Sequence, residues 1–204
     1  TIRMALPVLG AMRGEKNITL NTAAILAGPC AAPDTIPDTE VMVETSLWMQ
    51  KVAADPGHSD WYIERFRAMA RAGDDLGGEA RFVDAMAPRG AHILDAGCGP
   101  GRVGGYLAAA GHRVVGVDVD PALIAAAEQD HPGPRWLVGD LAELDLPARG
   151  VGEPFDVIVS AGNVMTFLAP STRVPVLSRL RSHLRADGRL VIGFGAGRDY
   201  EFGQ

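Results

Sequence analysis

Cysteine is scarce in this 204-residue chain, and features that would tie it to a membrane or to nucleic acid are missing. Two cysteines, Cys30 and Cys98, are too few for a disulfide framework, so we expect free thiols in a reducing compartment, the cytoplasm. No run approaches the ~20 apolar residues needed to cross a bilayer. With a net charge of −6, the chain lacks the basic footprint of a nucleic-acid-binding protein. These absences favour a small-molecule ligand over nucleic acid or a membrane.

Glycine, by contrast, is abundant, and three glycines alternate in the turn Asp-Ala-Gly-Cys-Gly-Pro-Gly at residues 95–101. The apolar run 91–94 before the turn predicts a buried strand. The Ala/Leu-rich run 103–110 after it predicts a helix. Missing Cβ atoms let a ligand approach the backbone, and a helix N-terminus offers unpaired N–H groups. Strand, glycine-rich turn and helix together predict a nucleotide-type ligand site.

Two kinds of cofactor fit this turn, and Asp95 helps to separate them. Gly99-x-Gly101-x-x-Gly104 fits the dinucleotide fingerprint. A carboxylate at the strand end is unfavourable beside a pyrophosphate, whereas a cationic, phosphate-free ligand would be attracted. The alternatives left open are an NAD(P)-dependent oxidoreductase and a non-catalytic domain that binds an adenosyl ligand.

The turn resembles motif I, D/E-x-G-x-G-x-G, of the class I (Rossmann-like) S-adenosylmethionine-dependent methyltransferases. The resemblance implies an α/β fold with a doubly wound sheet of central strand order 3-2-1-4-5 and a helical N-terminal lid. It also implies S-adenosylmethionine as cofactor, S-adenosylhomocysteine as product, and in-line methyl transfer to a small-molecule acceptor. Asp95 would then orient the methionyl ammonium. The turn residues expected to contact the cofactor are Gly97, Cys98, Gly99 and Gly101.

Acids also follow two later predicted strands. The strand 113–117 leads into Asp118, about 20 residues past the glycines, where an acid can accept hydrogen bonds from ribose hydroxyls. Asp140 follows the strand 136–138, where the family pattern has an acid facing the adenine amine. Three acids without a basic phosphate clamp fit a cationic adenosyl ligand better than a dinucleotide. Further expected cofactor contacts are Val119, Leu141 and Ala161.

Residues 44–90 predict helices that would form the lid over the cofactor. His58, Trp61 and Tyr62 are candidate substrate contacts; packing for the two aromatics, and a surface turn for His58, are the alternative interpretations. Asn163, after the fourth strand, is a further candidate, or else a turn former. No residue stands out as a general base, so the catalytic residue is left unknown, and no metal site is predicted.

The domain prediction is an extension or linker at 1–43, expected to be poorly ordered, the lid at 44–90, and the cofactor-binding domain at 91–204. Only ten residues follow the predicted fifth strand, 189–194, so the antiparallel strand pair that usually completes this fold is missing at the C-terminal end. The fifth strand would be an exposed apolar edge. The N-terminal extension, or a second subunit in a homodimer, would cover that edge.

Overall fold

The computed structural model describes residues 44–194 and, nearer the N-terminus, the backbone of two strands, β1 (Arg3–Met4) and β2 (Ala23–Ala27). Within 44–194 the strands are β3 (His92–Ala96), β4 (Arg113–Asp118), β5 (Arg135–Val138), β6 (Phe155–Ser160) and β7 (Leu184–Gly193). The helices are α1 (Leu47–Ala54), α2 (His58–Arg71), α3 (Gly78–Met86), α4 (Arg102–Ala109), α5 (Pro121–Asp130), α6 (Val164–Phe167) and α7 (Arg173–Ser182). None of these helices has the length and hydropathy that a membrane span requires.

All seven strands form one sheet in the order β1-β2-β7-β6-β3-β4-β5. The five strands from β3 to β7 are parallel to one another. Numbered along the domain, these five run 3-2-1-4-5, so the predicted doubly wound order is confirmed. The order reverses beside β3, and ligands of open α/β sheets bind at the carboxyl ends of the strands at such a reversal.

The edge of β7 is not free, because β2 pairs with it antiparallel from Ala23↔Gly193 to Ala27↔Arg189. β1 pairs antiparallel with β2 in turn. An antiparallel pair is therefore present, but residues before the domain supply it instead of residues after it. Of the two predicted ways of covering this edge, the N-terminal extension is confirmed, and the prediction of a homodimer loses the exposed edge on which it was based. The rest of the predicted extension at 1–43, including Cys30, lies outside the described residues, as does 195–204.

The fifth strand is longer than predicted and begins at Leu184. Asp187 and Gly188, which precede the predicted strand 189–194, lie within the observed one. Leu184 pairs with Phe155 and Arg189 with Val157, so four residues of β7 are accommodated where β6 has one. This irregularity is a bulge. It accommodates these four residues, Asp187 and Gly188 among them, without ending the strand.

The sheet is buried on both faces. Successive β3 residues enter different clusters, because side chains alternate across a strand. Ile93 packs with Val83 of α3 and Leu107 of α4. Leu94 packs with Ile158 and with Leu180 of α7. Two-sided burial explains why the strands read as continuous apolar runs in the sequence.

Helices α1 and α2, called the cover below, lie over the carboxyl ends of the strands. The Ser46 hydroxyl caps α1 by accepting the N–H of Met49 at 3.2 Å. Helix α2 begins at His58, and Ser59 in its first turn donates its hydroxyl to Asp120. Helix α3 belongs to the core, where its Ala80 is fully buried.

Candidate cofactor pocket

Three carboxylates meet at the carboxyl ends of neighbouring strands. Asp95 is the penultimate residue of β3, Asp118 ends β4, and Asp140 follows β5 by two residues. All three line one pocket, which encloses about 850 Å³ of space that is partly open to solvent. The sheet order therefore gathers acids that lie 45 residues apart in the sequence into a single site, as expected for parallel strands.

Asp118 holds the glycine-rich turn and the next loop at once. One carboxylate oxygen accepts the backbone N–H of Gly99 at 2.8 Å, and the other accepts the N–H of Asp120 at 3.0 Å. Burial raises the pKa of Asp118 to about 6. The remaining lone pairs of this carboxylate are suited to accept from hydroxyl donors of a ligand.

Asp95 is more deeply buried, with 2% of its surface exposed. Its Oδ2 accepts the backbone N–H of Gly104 at 2.8 Å, which attaches the strand end to helix α4. Burial, the largest cause, raises the pKa of Asp95 to about 7. A cationic ligand group beside it would favour the ionised form and would itself be attracted.

The glycines of the turn divide into two roles. Gly97 and Gly99 line the pocket with φ of +78° and +54°, in the left-handed region where glycine is favoured. A Cβ on Gly97 would also lie 2.5 Å from both γ carbons of Val164. Gly101 does not line the pocket, and a Cβ there would lie 2.9 Å from Cβ of Ala127. Gly101 therefore serves the packing of the turn on helix α5.

Cys98 lies beneath the turn. It packs with Ile124, Ala127 and Trp136, and burial raises the pKa of its thiol well above the ordinary value. A buried, protonated thiol is a poor nucleophile. Cys98 is therefore a small buried residue that fills a tight turn.

The far wall of the pocket is built around Asp140. Its Oδ1 accepts the N–H of Ala142 at 2.8 Å, which leaves the other oxygen available to a donor. Apolar side chains of Val119 and Leu141 flank it, and Ala161 lies after β6. An acceptor between flat apolar walls suits a planar ring that carries an amino group.

Four aromatic side chains, three of them from the cover, close the pocket from above. Trp48 of α1 and Tyr62 of α2 pack edge to face with ring centroids 5.0 Å apart. Phe66 packs on Tyr62 at 5.0 Å, and Phe167 of α6 packs on Trp48 at 5.5 Å. All four rings line the pocket. Burial raises the pKa of Tyr62 above its ordinary value, so its hydroxyl stays protonated at neutral pH.

The structure brings most of the predicted site residues to this pocket, with four exceptions. His58 packs behind Trp48, at 5.0 Å between ring centroids, and Trp61 is 57% exposed. Asn163 has a left-handed φ of +69° and precedes helix α6. This conformation fits the alternative prediction, in which Asn163 forms a turn. The fourth exception is Gly101, described above. Of the candidate substrate contacts, Tyr62 alone lies on the pocket wall described here.

The pocket also has lining residues that the sequence did not single out. They are Ser46, Trp48, Phe66, Pro100, Arg102, Val103, Leu123, Gly162, Val164, Phe167 and Leu168. Pro100 lies within the motif and Arg102 directly follows it, so both could have been included with the predicted contacts. The aromatic rings carry no local signal, because an aromatic at helical spacing is more often a core residue.

The charge pattern fits a cationic adenosyl ligand. Arg102 is the one cationic side chain on the described wall, and it forms an ion pair with Glu79. A pyrophosphate would meet three carboxylates and a neutralised arginine, which is unfavourable in a buried site.

Comparisons with known proteins agree with this chemistry. A methyltransferase-domain family model matches residues 93–188. The structure resembles a TehB-like S-adenosylmethionine-dependent methyltransferase from Corynebacterium glutamicum, with 57% identity, a TM-score of 0.68, and coverage of 73% of this chain and 79% of that one. It also resembles an amino pentose methyltransferase from Micromonospora echinaspora with S-adenosylmethionine bound, with 27% identity, a TM-score of 0.55, and coverage of 68% and 60%.

Among curated proteins, the malonyl-[acyl-carrier protein] O-methyltransferase of Pectobacterium atrosepticum is 32% identical over 97 residues, 48% of this chain and 37% of that protein. The chain thus spans little more than a third of that curated relative. S-adenosylmethionine is the cofactor of the matched family, as the three acids predict. At 57% identity, this chain covers 79% of the Corynebacterium protein. The chain therefore belongs to the class I, Rossmann-like S-adenosylmethionine-dependent methyltransferases.

Proposed function

We propose that this protein catalyses methyl transfer from S-adenosylmethionine to a small-molecule acceptor. The observation that carries the proposal is the pocket itself, in which three strand-end carboxylates lie beneath four aromatic rings. These rings, called the roof below, are Trp48, Tyr62, Phe66 and Phe167. When bound, the cofactor supplies an electrophilic methyl group that is already activated by the sulfonium. The chain's own residues then have to bind, orient and exclude water, which is the main contribution expected for such a reaction.

The carboxylates supply binding and orientation. Asp95 attracts the ammonium, and Asp118 accepts from ribose hydroxyls with lone pairs that the backbone does not use. Asp140 accepts from the adenine amine between Val119 and Leu141. Because each of these acids is held by a backbone N–H, its oxygens are positioned before the ligand arrives.

Tyr62 is the candidate contact at the reacting end. Its ring lies over the turn, with Cε1 3.8 Å from the position that a Cβ on Gly99 would occupy. Because its pKa is raised, the phenol serves as a hydrogen-bond donor or a steric wall and not as a base at neutral pH. A neutral acceptor with its own nucleophilic lone pair fits this wall best, since no general base is supplied by it.

The small size of the acceptor rests on the closed cover and on the net charge of −6, which opposes nucleic acid. The relatives differ in this respect: one is named for an amino pentose, and another for an acyl group carried on a protein. A protein-bound acceptor would need to reach through the cover to the pocket. A location in the cytoplasm follows the cysteine usage and is part of the same proposal.

Two measurements on the full chain test the proposal. Calorimetry should give micromolar binding of S-adenosylmethionine and S-adenosylhomocysteine, none of NADH, and loss of binding in Asp118→Ala. Transfer of a radiolabelled methyl group to a fractionated pool of metabolites, compared with a pool of proteins and RNA, should label the small molecules. Binding without any transfer would favour the non-catalytic alternative, and binding of NADH alone would contradict the charge argument at Asp95.

A further inference from the structure

A buried carboxylate two residues beyond Asp118 does not line the pocket. Asp120 is 2% exposed, and its Oδ1 caps helix α5 by accepting the N–H of Ala122 at 2.9 Å. Burying a carboxylate costs free energy unless donors and favourable dipoles surround it. The cap and the helix N-terminus supply part of this stabilisation, and the cover supplies the rest.

The second oxygen of Asp120 holds both helices of the cover. Trp48 of α1 donates its indole N–H to Oδ2 at 2.8 Å. Ser59 of α2 donates its hydroxyl to the same atom at 2.5 Å. Hydrogen bonds to an ionised acceptor are roughly twice as strong as neutral ones. Oδ2 of Asp120, at the start of α5, thus attaches both helices that lie over the pocket.

Asp120 also contacts the cofactor side of the site, through its backbone. Its N–H donates to the carboxylate of Asp118 at 3.0 Å. The ring that it holds, Trp48, packs on Tyr62 at one side of the roof and on Phe167 at the other. Raising the cover from the pocket therefore requires breaking the bonds to Asp120 and separating Trp48 from Phe167 of α6.

We propose that Asp120 is a positioning residue that keeps the cover closed over the bound cofactor, and that its bonds to Trp48 and Ser59 set how slowly the cofactor leaves. The inference deepens the proposed function and rests on it for the identity of the ligand. Cover opening limits product release in many enzymes. Here the opening step is assigned to two hydrogen bonds on one atom.

The substitution Asp120→Asn separates this role from a structural one. Asparagine is as good an N-cap as aspartate, so the bond from Ala122 is kept, and the backbone bond to Asp118 is unchanged. The new amide nitrogen, however, faces the indole N–H of Trp48, which is also a donor. The double variant Trp48→Phe/Ser59→Ala breaks the same contacts from the other side while leaving the Asp120 side chain in place.

Asp130→Asn is the matched control. Asp130 ends helix α5 and forms a two-point ion pair with Arg67 of α2, at 2.8 and 2.9 Å. Like Asp120, Asp130 is an aspartate that joins α5 to α2, but it does so at the surface and away from the roof. Exposed ion pairs contribute little, so we expect a change of no more than about twofold.

The experiment measures dissociation of S-adenosylhomocysteine by stopped-flow competition, with the association rate and the unfolding temperature of each variant. We expect Asp120→Asn and the double variant to dissociate about tenfold faster, with association nearly unchanged. Adding Asp120→Asn to the double variant should give no further acceleration. A merely structural role would lower the unfolding temperature without this division between the two rates.

Two results would overturn the inference while leaving the proposed function intact. One is equal dissociation from Asp120→Asn and Asp130→Asn. The other is a full effect of Asp120→Asn in the chain that already lacks the Trp48 and Ser59 donors, since that effect would act through Asp118 instead of the cover. Failure of the unmodified chain to bind S-adenosylhomocysteine would overturn both proposals.

Discussion

The carboxylate of Asp95 accepts a hydrogen bond from the backbone N–H of Gly104, nine residues later, at 2.8 Å. The acid that leads into the glycine-rich turn is thus bonded to the helix that follows it. A Cβ on Gly104 would lie 3.0 Å from Oδ2 of Asp95 and 2.8 Å from Cη2 of Trp136. The closed shape of the turn therefore depends on an acid at one end and on a missing side chain at the other.

Gly104→Ala should destabilise the protein by about 1–3 kcal/mol, because the methyl group overpacks a buried site. Gly78→Ala is the matched control: Gly78 is also helical, but only the end of the Arg81 side chain comes within 4.0 Å of its added Cβ. There alanine should stabilise by about 0.5–1 kcal/mol through helix propensity. Chemical denaturation measures both, and equal effects would contradict the packing assignment.

Cofactor affinity should rise with pH. Burial places the pKa of Asp95 at about 7 and that of Asp118 at about 6, so both are partly protonated in weakly acidic solution. Only the ionised Asp95 attracts an ammonium, so S-adenosylhomocysteine should bind at least about tenfold more weakly near pH 5.5 than near pH 8. Calorimetry at the two pH values measures the change, and Asp95→Asn should remove most of it.

These two carboxyl groups should make the unliganded chain less stable as pH rises, which is opposite to the trend in cofactor affinity. Each has a folded pKa above its unfolded value of 3.8. Their contribution to stability is therefore complete below about pH 4 and is lost as pH rises through about 6 and 7. The increase in melting temperature on adding ligand should accordingly be larger at pH 8. An increase that is independent of pH would contradict the burial of these carboxylates.

Asp140→Asn should weaken cofactor binding about tenfold. The carboxylate oxygen that faces the pocket, an acceptor, is replaced by an amide NH2 group, which is a donor. Asn still caps the turn, so the fold should be retained. Asp145→Asn is its control, since Asp145 similarly accepts the N–H of Ala148 at 3.1 Å but is exposed and lies away from the pocket. Calorimetry should find the control unchanged.

Tyr62→Ala should weaken cofactor binding about tenfold, through loss of the ring that lies over the turn. Its neighbour Trp61 provides the comparison, because it is 57% exposed and does not line the pocket. Trp61→Ala should leave affinity and turnover unchanged. Loss of turnover in Trp61→Ala at unchanged cofactor affinity would instead support the sequence-based assignment of Trp61 as a substrate contact.

Cys98→Ala should retain cofactor binding and methyl transfer, because the thiol is buried under the turn and points into the cluster with Trp136. In the folded protein, Cys98 should react with a thiol reagent only at the rate of unfolding, as expected for a thiol whose pKa is raised by burial. Mass spectrometry of timed labelling reactions measures this. Fast labelling at Cys98, or loss of transfer in Cys98→Ala, would restore a nucleophilic role.

Local sequence patterns were sufficient wherever a short segment holds all the necessary information. The turn of residues 95–101 predicted its own geometry, since its acid and glycines are adjacent. Asp118 and Asp140 were found because each directly follows or ends an apolar strand. Gly101 was placed on the pocket wall although it packs on Ala127, because the sequence does not show which side of a turn a glycine faces.

The sequence by itself determined the α/β order, the glycine-rich turn, the three acids and the cofactor they suit, because these depend on adjacent residues and on a regular strand–helix alternation. Only the tertiary structure decided that residues 23–27 pair with β7 and that Trp48 contacts Asp120, 72 residues away. Such contacts depend on where distant segments pack against one another. No local period or spacing encodes that packing, so the roof of the pocket had to be seen in three dimensions.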